Sequence, residues 1–369
     1  PIMPLFHLFL LAAVQALGGN IKWKCPACKV GVAVAGNLPL EALSGLIRDI
    51  AVPVCEYING TGECDPNTEE GKFACEDLCK GIVRTEEPVL IEILSAKNYT
   101  NTGKCAAFGI CPPMTTDNPP VPPAKIKSNL SDFSGENKWP NWPDNGGKLV
   151  GTFISFTDFH LQRDYQEGSE TDCGQPICCR SEDGPGIEGQ KAAHYGDHNC
   201  DTPRSVLLSM INQMQSITPK PDFIINTGDD PAHDVWNQTP ELNSLAIQEV
   251  AEEIMGFISD RPYSHCFGNH ESEPVNQYRG PGGDQYLYNH MADANSNWLS
   301  NDSQNTLRYG GFFQSRLAPK LRALVFHSTM WEGADWYFAA NGTDFVGQFS
   351  WARDVLQQAR ERGEKVYVL

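Results

Sequence analysis

Three short stretches of this chain concentrate side chains able to bind divalent cations. They are Asp158-Phe159-His160, the run from Asn226 to Asp234 (Asn-Thr-Gly-Asp-Asp-Pro-Ala-His-Asp), and Gly268-Asn269-His270-Glu271. A pair of divalent ions about 3.5–4 Å apart can clamp both the attacking and the leaving oxygen of a displacement at phosphorus. Such a pair needs hard or borderline donors and one carboxylate that touches both ions. Asp158 and His160 flank a single residue, so in an extended turn both reach the same ion. Asp229 is the candidate bridge, and Asn269 offers a neutral carbonyl oxygen. Mixed nitrogen and oxygen donors suit zinc, and manganese or iron fit the same set.

Each of these residues also has a blander reading. Asp158 could cap a helix, His160 could sit on the surface, Gly-Asp after a strand is commonly a turn, and Glu271 reads as a structural hydrogen-bond acceptor. Taken singly the bland readings are stronger; taken together the metal reading is. His194, His198, His265, His290 and His327 fall in none of the three stretches, although a supporting role for His194 or His198 stays open. Cys266 is either buried and free or paired with a cysteine beyond residue 369.

Strand ends must position these side chains. Phe223-Ile224-Ile225 is a short apolar run bounded by Pro221 and Gly228, which reads as a buried strand over 222–226. Further strands are expected over Leu149–Phe156, Tyr263–Phe267, Leu321–Phe326 and Val366–Leu369. Helices are expected over Ser205–Met214, Leu245–Ile258 and Phe349–Arg362, the last with Trp351, Val355, Leu356 and Ala359 on one side. Each cation-binding stretch then follows a strand, at the carboxyl edge where open α/β sheets collect their ligands. The alternation spells an α/β unit with a mixed, largely buried sheet.

The chain before residue 112 is different. Cys25-Pro26-Ala27-Cys28 opens it, Cys105 and Cys111 close it, and Cys55, Cys64, Cys75 and Cys79 lie between. A Cys-x-x-Cys pair could hold zinc or do redox chemistry, but neither suits an oxidising compartment. Apolar residues follow helical spacing at Leu40, Leu43, Leu46, Ile47 and Ile50, and again at Val89, Leu90, Ile93 and Leu94. A small set of amphipathic helices tied by disulfides follows. Residues 112–147 form a linker whose proline density forbids helix and favours an extended spacer, with Trp139 and Trp142 expected to dock on the next unit.

Composition narrows the function classes. A net charge of −18 argues against a nucleic-acid partner, which needs a basic face. Thirteen cysteines are too many for a reduced cytosolic enzyme without zinc-ribbon spacing. Sequons stand at Asn59, Asn98, Asn129, Asn237, Asn301 and Asn341, which together favour the secretory pathway and glycosylation. Residues 1–18 resemble a signal peptide, with a short apolar run, a plausible cleavage point after Ala16 and no basic start. No segment is long and apolar enough to read as a membrane span.

The cysteine-rich helical part (residues 21–111) resembles a saposin-type domain. That resemblance implies the pairs Cys25–Cys111, Cys28–Cys105 and Cys55–Cys79, with Cys64–Cys75 as an extra pair in an inserted loop. It also implies an apolar face that meets lipid; the alternative is a structural cap whose apolar faces stay buried. Residues 148–369 resemble the calcineurin-like metallophosphoesterases, whose blocks D-x-H, G-D and G-N-H-E appear here in order. The match is closer still to the acid sphingomyelinase family, through Asp229–Trp236, through Gly268–Asn276, and through Cys173, Cys178, Cys179 and Cys200, which implies Cys173–Cys178 and Cys179–Cys200.

The expected fold is therefore an α/β metallophosphoesterase, a mixed β-sheet sandwich flanked by helices, preceded by a small all-α disulfide-linked saposin-type domain. The resemblance implies two zinc ions per complete enzyme, with Asp158, His160 and Asp229 on the first and Asp229 and Asn269 on the second. His233 and His270 face the phosphate, with His270 as the general acid for the leaving alkoxide. The implied reaction is attack by hydroxide shared between the ions on the phosphorus of sphingomyelin, giving ceramide and phosphocholine. The implied setting is secreted or lysosomal, acting as a monomer on membranes or lipoproteins. Two further histidine blocks of the family (G-H-x-P-P and G-H-x-H) belong after a strand like Val366–Leu369. The chain is therefore expected to be incomplete at its C-terminus, to bind the second metal poorly and to turn over little substrate. The alternatives are a secreted phosphodiesterase acting on nucleotides or other soluble phosphodiesters, and a lipid-binding protein with an inactive phosphatase fold.

Overall fold

The computed structural model describes residues 24–59, 69–108, 110–111, 151–217, 219–257, 260–342 and 344–369. The signal-like segment 1–18, the linker 112–147 with its tryptophans, the Cys64–Cys75 pair and the sequons at Asn59 and Asn129 lie outside the described residues and side chains.

The first part is helical: α1 (Lys24–Ala35), α2 (Leu40–Asn59), α3 (Glu69–Ser95) and α4 (Asn101–Ala107). Disulfides Cys25–Cys111, Cys28–Cys105 and Cys55–Cys79 tie them, as the saposin-type resemblance implies. Their sequence separations of 86, 77 and 24 residues mean each cross-link removes unfolded-state entropy worth on the order of 3–5 kcal/mol in the chain-entropy account. Leu43, Ile47 and Ala51 of α2 and Val83, Leu90, Ile93 and Leu94 of α3 form the core between them. Buried Glu87 accepts from Ser44 and, at 2.5 Å, from Arg48 Nε, which pins α3 to α2. Leu40 and Leu46 do not join this core and stay 59% and 45% exposed. The buried stripe of α2 runs at four-residue spacing through 43, 47 and 51, and those two leucines fall beside it.

The second part alternates strands and helices: β1 (Phe153–Phe156), α5 (Arg204–Ser216), β2 (Phe223–Asn226), α6 (Pro240–Phe257), β3 (Tyr263–His265), α7 (Gln285–Ala294), α8 (Asn301–Gly310), β4 (Phe313–Ala318), β5 (Leu321–Val325), α9 (Trp336–Asn341), α10 (Gln348–Glu361) and β6 (Lys365–Val368). Strands β1-β2-β3 form a parallel sheet, with Phe153 opposite Phe223 and Ile224 opposite Tyr263. Strands β4-β5-β6 form a mixed sheet, antiparallel between β4 and β5 and parallel between β5 and β6. The sheets stack as a sandwich. Ser264 Oγ on β3 meets Ser315 Oγ on β4 at 2.8 Å, and the Phe153 ring of β1 meets Tyr367 of β6 edge-on.

The period of two decides what each face of β2 does. Phe223 and Ile225 point between the sheets, toward Leu317, Ala323 and Val325. Ile224 packs on the other side with Leu207 and Ile211 of α5 and Val250 and Ile254 of α6. Trp351, Val355 and Ala359 of α10 are buried as expected, whereas Leu356 is 42% exposed. One step along the helix from Val355, it has turned about 100° away from the core. Helices α7 and α8 and strand β4 were not expected from apolar pattern. Local chemistry closes α8 instead: Ser300 Oγ caps its start by accepting from Ser303 N, and Gly311 ends it at φ 81°.

The helical part seats directly on the sheet-bearing part. Trp336, Tyr337 and Ala340 of α9 enter the helical core beside Phe108. Two glycines make the close approach possible. A Cβ on Gly81 of α3 would stand 2.5 Å from the Trp236 carbonyl oxygen, and one on Gly103 of α4 would overlap the Ala340 carbonyl. Arg279 Nε donates to Glu92 Oε2 of α3 at 3.2 Å and to Tyr337 Oη at 2.9 Å, and Arg84 Nη2 of α3 donates to the Trp236 carbonyl at 3.0 Å.

Candidate metal centre

The three parallel strands deliver their following loops to one edge. Asp158 N donates to the Gly228 carbonyl (2.9 Å), His160 N to the Asp229 carbonyl (2.9 Å) and Leu161 N to the Asp230 carbonyl (2.7 Å). The loop after β1 is thereby stitched along the loop after β2. Asp158, His160 and Asp229 all take positive φ, at 54°, 47° and 61°. That region costs a residue with a Cβ about 1–2 kcal/mol. Three such residues among the cation-binding positions mean that the surrounding hydrogen bonds hold donors in place against a backbone penalty.

A donor oxygen of Asp158, a ring nitrogen of His160 and a carboxylate oxygen of Asp229 lie within 4.8 Å of one another. His160 Nδ1 stands 2.9 Å from the Pro231 carbonyl, which can only accept. Nδ1 therefore carries the proton, and Nε2 presents its lone pair 3.9 Å from Asp158 Oδ1. Burial pushes the Asp229 carboxyl up; the His270 amide (2.8 Å to Oδ1), His160 and the Asn269 amide pull it down, and Asp158 pushes it up. Among the described residues no lysine or arginine forms an ion pair with Asp158 or Asp229. Two neighbouring carboxylates and an oriented imidazole without a cationic side chain are a donor set that fits a divalent cation.

Three histidine rings crowd beside it. His160 and His233 centroids are 3.7 Å apart, His160 and His270 4.9 Å, and His233 and His270 4.7 Å. Their surroundings differ. His233 Nδ1 bonds Asp201 Oδ1 at 2.8 Å, its own amide donates to Asp201 Oδ2 at 2.6 Å, and this carboxylate raises the imidazole above its usual range. Burial, followed by the neighbouring His160 and His233, lowers His270 to about 3. Its Nδ1 is buried without a hydrogen-bond partner in the described structure. Asn269 lines the same cavity as His233 and His270.

Glu271 does what its bland reading expects. Oε1 accepts from Asp230 N at 2.8 Å and Oε2 from Gly268 N at 2.6 Å, so one buried carboxyl joins the loop after β2 to the loop after β3. Burial, with Asp230 and Asp229 nearby, raises it well above the usual carboxylate range. Beneath lies Asp230, held by Asn226 Nδ2 at 3.0 Å, with His265 Nε2 2.9 Å away but outside hydrogen-bonding geometry. His265 is thus a buried neighbour of Asp230, His327 a neutral core histidine lowered to about 3 by burial, and His194 an exposed partner of Glu167. Cys266 is buried and free.

Sequence reasoning missed Asp201, which no motif marks. It follows Cys200 in a loop closed by the disulfides Cys173–Cys178 and Cys179–Cys200. Arg180 in that loop, 2% exposed, lies 3.3 Å from Asp234 Oδ2 and stacks over Trp236. His198, for which the sequence leaves a supporting role open, lines a cavity of about 660 Å³ together with Asp201, His233, Asn269 and His270. The helical part also lines that cavity, through Ile47, Ala51, Ile82, Val83 and Leu90.

Comparison with known proteins agrees with this geometry. The chain is 29% identical over 368 residues to the sphingomyelin phosphodiesterase of Homo sapiens, covering 95% of this chain and 54% of that protein. It is 27% identical over 354 residues to sphingomyelin phosphodiesterase B of Dictyostelium discoideum, covering 94% of this chain and 52% of that protein. The cyclic GMP-AMP phosphodiesterase SMPDL3A of Bos taurus is 29% identical over 234 residues, 62% of this chain and 50% of that protein. The chain spans about half the length of these relatives. Residues 156–364, more than half of the chain and including every cation-binding position described above, match the calcineurin-like phosphoesterase family, and the chain belongs to that family.

Proposed function

We propose that this chain carries the metal site and the lipid-facing module of a zinc-dependent phosphodiesterase that hydrolyses sphingomyelin to ceramide and phosphocholine. One observation carries the reading. A single cavity is walled both by His233, Asn269 and His270 and by the apolar side chains of α2 and α3. An amphiphile whose phosphodiester joins a polar head to an apolar body matches both walls. Supporting it, the sphingomyelin phosphodiesterases match 94–95% of the chain, a span that must include the helical part, whereas the cyclic GMP-AMP phosphodiesterase matches 62%.

Asp158, His160 and Asp229 would hold one ion, and Asp229 with Asn269 a second; the nitrogen and oxygen donors favour zinc. Divalent ions bound there supply Lewis-acid polarisation of the phosphoryl oxygens and lower the pKa of water. His233 is our choice for the proton donor to the leaving alkoxide, in place of His270. Asp201 occupies Nδ1 of His233 and favours the charged ring, which leaves Nε2 free for a substrate oxygen. His270, kept neutral by burial, hydrogen-bonds to Ala232 and contributes an uncharged part of the cavity wall.

The exposed apolar residues Val30, Val34, Leu40 and Leu46 of α1 and α2 are the surface we assign to the lipid interface. Among the described residues no helix is long and apolar enough to cross a membrane. The disulfides support a secreted or lysosomal setting. Asn98, Asn237 and Asn301 are exposed and Asn341 partly so, as glycan attachment requires. The test compares hydrolysis of sphingomyelin in vesicles with that of a soluble nucleotide phosphodiester, in the protein and in Asp229→Ala. Preference for the nucleotide would favour the soluble-substrate reading. Unchanged behaviour of Asp229→Ala would favour a lipid-binding protein without catalysis.

A further inference from the structure

Glu86 of α3 sits in the wall that the helical part contributes to the cavity. Its side chain is partly buried, and its Oε2 is shielded from solvent with no hydrogen-bond partner. Burial, with repulsion from Glu273, raises this carboxyl to about 8. The arginines that stabilise the neighbouring Glu273 are committed elsewhere. Arg84 donates to the Trp236 carbonyl, and Arg279 donates to Glu92 and Tyr337. An acid placed among apolar side chains without a partner is costly, and leucine would fill the space without that cost. A cation entering the cavity would give that carboxyl, as carboxylate, the partner it lacks. Trp236 and Trp336 line the same cavity, and an indole face attracts alkylated ammonium groups.

We propose that Glu86 recognises the cationic head group of a zwitterionic phosphodiester, taking its ammonium while the metal site takes its phosphoryl oxygens. The proposal rests on the phosphodiesterase reading and names the residue that sets its head-group preference. On binding, the carboxyl of Glu86 loses its proton to solvent and the carboxylate faces the ammonium, so charge is neutralised within the cavity. A helix of the lipid-facing module would thereby select the head group as well as contact lipid.

The experiment titrates phosphocholine and inorganic phosphate into the zinc-loaded protein and into Glu86→Gln. Calorimetry at pH 6 in two buffers of different ionisation enthalpy counts protons. Phosphocholine should bind the unmodified protein about tenfold or more tightly than it binds Glu86→Gln, with about one more proton released by the former than by the latter, the ligand's own phosphate proton being common to both. Inorganic phosphate should bind both alike, which reports that the cavity of the variant is intact. Equal phosphocholine affinity and equal proton release in the two proteins would overturn the proposal. Phosphate binding without phosphocholine binding in the unmodified protein would also overturn it and leave the phosphodiesterase reading standing. Failure of both ligands to bind the unmodified protein would bring down that reading and this one together.

Discussion

Gly268 lies so close to Asp229 that a β-carbon on the glycine would overlap the aspartate carboxylate. The His270 amide two residues on donates to Asp229 Oδ1 at 2.8 Å. The loop after β3 therefore grips the central carboxylate with backbone alone. Gly268→Ala should displace that carboxylate and lower kcat/KM for a phosphodiester by about a hundredfold or more. Steady-state kinetics on the zinc-loaded variant checks this. Activity within a factor of two of the unmodified protein would show that the close approach has no catalytic consequence.

Asp201 and His233 make the second coupled pair of the site. Asp201→Asn keeps the shape of the side chain and removes the charge that raises the imidazole. The sign is fixed: without the carboxylate the ring loses its proton at lower pH, so the alkaline limb of the rate profile moves to lower pH. With His233 as proton donor, kcat at neutral pH should fall by about 10²–10⁴-fold. A rate profile that keeps its alkaline limb would remove His233 from the acid role.

How far the fold and site were legible depended on which signals are local. The cation-binding stretches stood out because Phe223-Ile224-Ile225 and its counterparts are short apolar runs ending in residues that have little reason to be there except chemistry or a turn. Strand ends convert sequence distance into proximity, so Asp158, His160 and Asp229 could be grouped before any geometry. Asp201 could not, because its link to His233 depends on how the disulfide loop folds back. Glu86 was invisible for a similar reason. On sequence it is one acid in a charged helix, and only the packing of α3 against the sheet-bearing part makes it part of a cavity wall. The surface leucines Leu40, Leu46 and Leu356 show the limit of periodicity, which finds an apolar face without finding what covers it.

Three buried carboxyls and two buried histidines pull the response of stability to pH in opposite directions: His270 and His327, lowered to about 3, lose stability as pH falls below the usual imidazole range. Burial raises Glu86 to about 8, Asp284 to about 7 and Asp234 to about 6. Each binds its proton more tightly folded than unfolded, so its contribution is fully present below pH 4 and is lost as pH climbs through 6 to 8. The carboxyls gain more between pH 8 and pH 5 than the two histidines lose, so the melting temperature should rise, by roughly 2–6 °C. Scanning calorimetry across that range decides it. A melting temperature that falls on acidification would mean that other groups outweigh these three.

The seat of the helical part on the sheet-bearing part passes through Gly81 and Trp236. Gly81→Ala should push α3 off this contact without touching the metal-binding residues. Hydrolysis of sphingomyelin in vesicles is expected to fall by about tenfold, while turnover of bis(4-nitrophenyl) phosphate, which needs no apolar wall, stays within about twofold. Equal losses on both substrates would mean that the seat serves folding of the whole chain and not the lipid.

The central claim is that Asp158, His160 and Asp229 converge to bind a divalent cation. The most direct measurement is zinc content after equilibrium dialysis, for the protein and for Asp229→Ala, with circular dichroism showing that both are folded. The account predicts stoichiometric zinc in the first and almost none in the second. Equal zinc in the two proteins, or none in either, would contradict it.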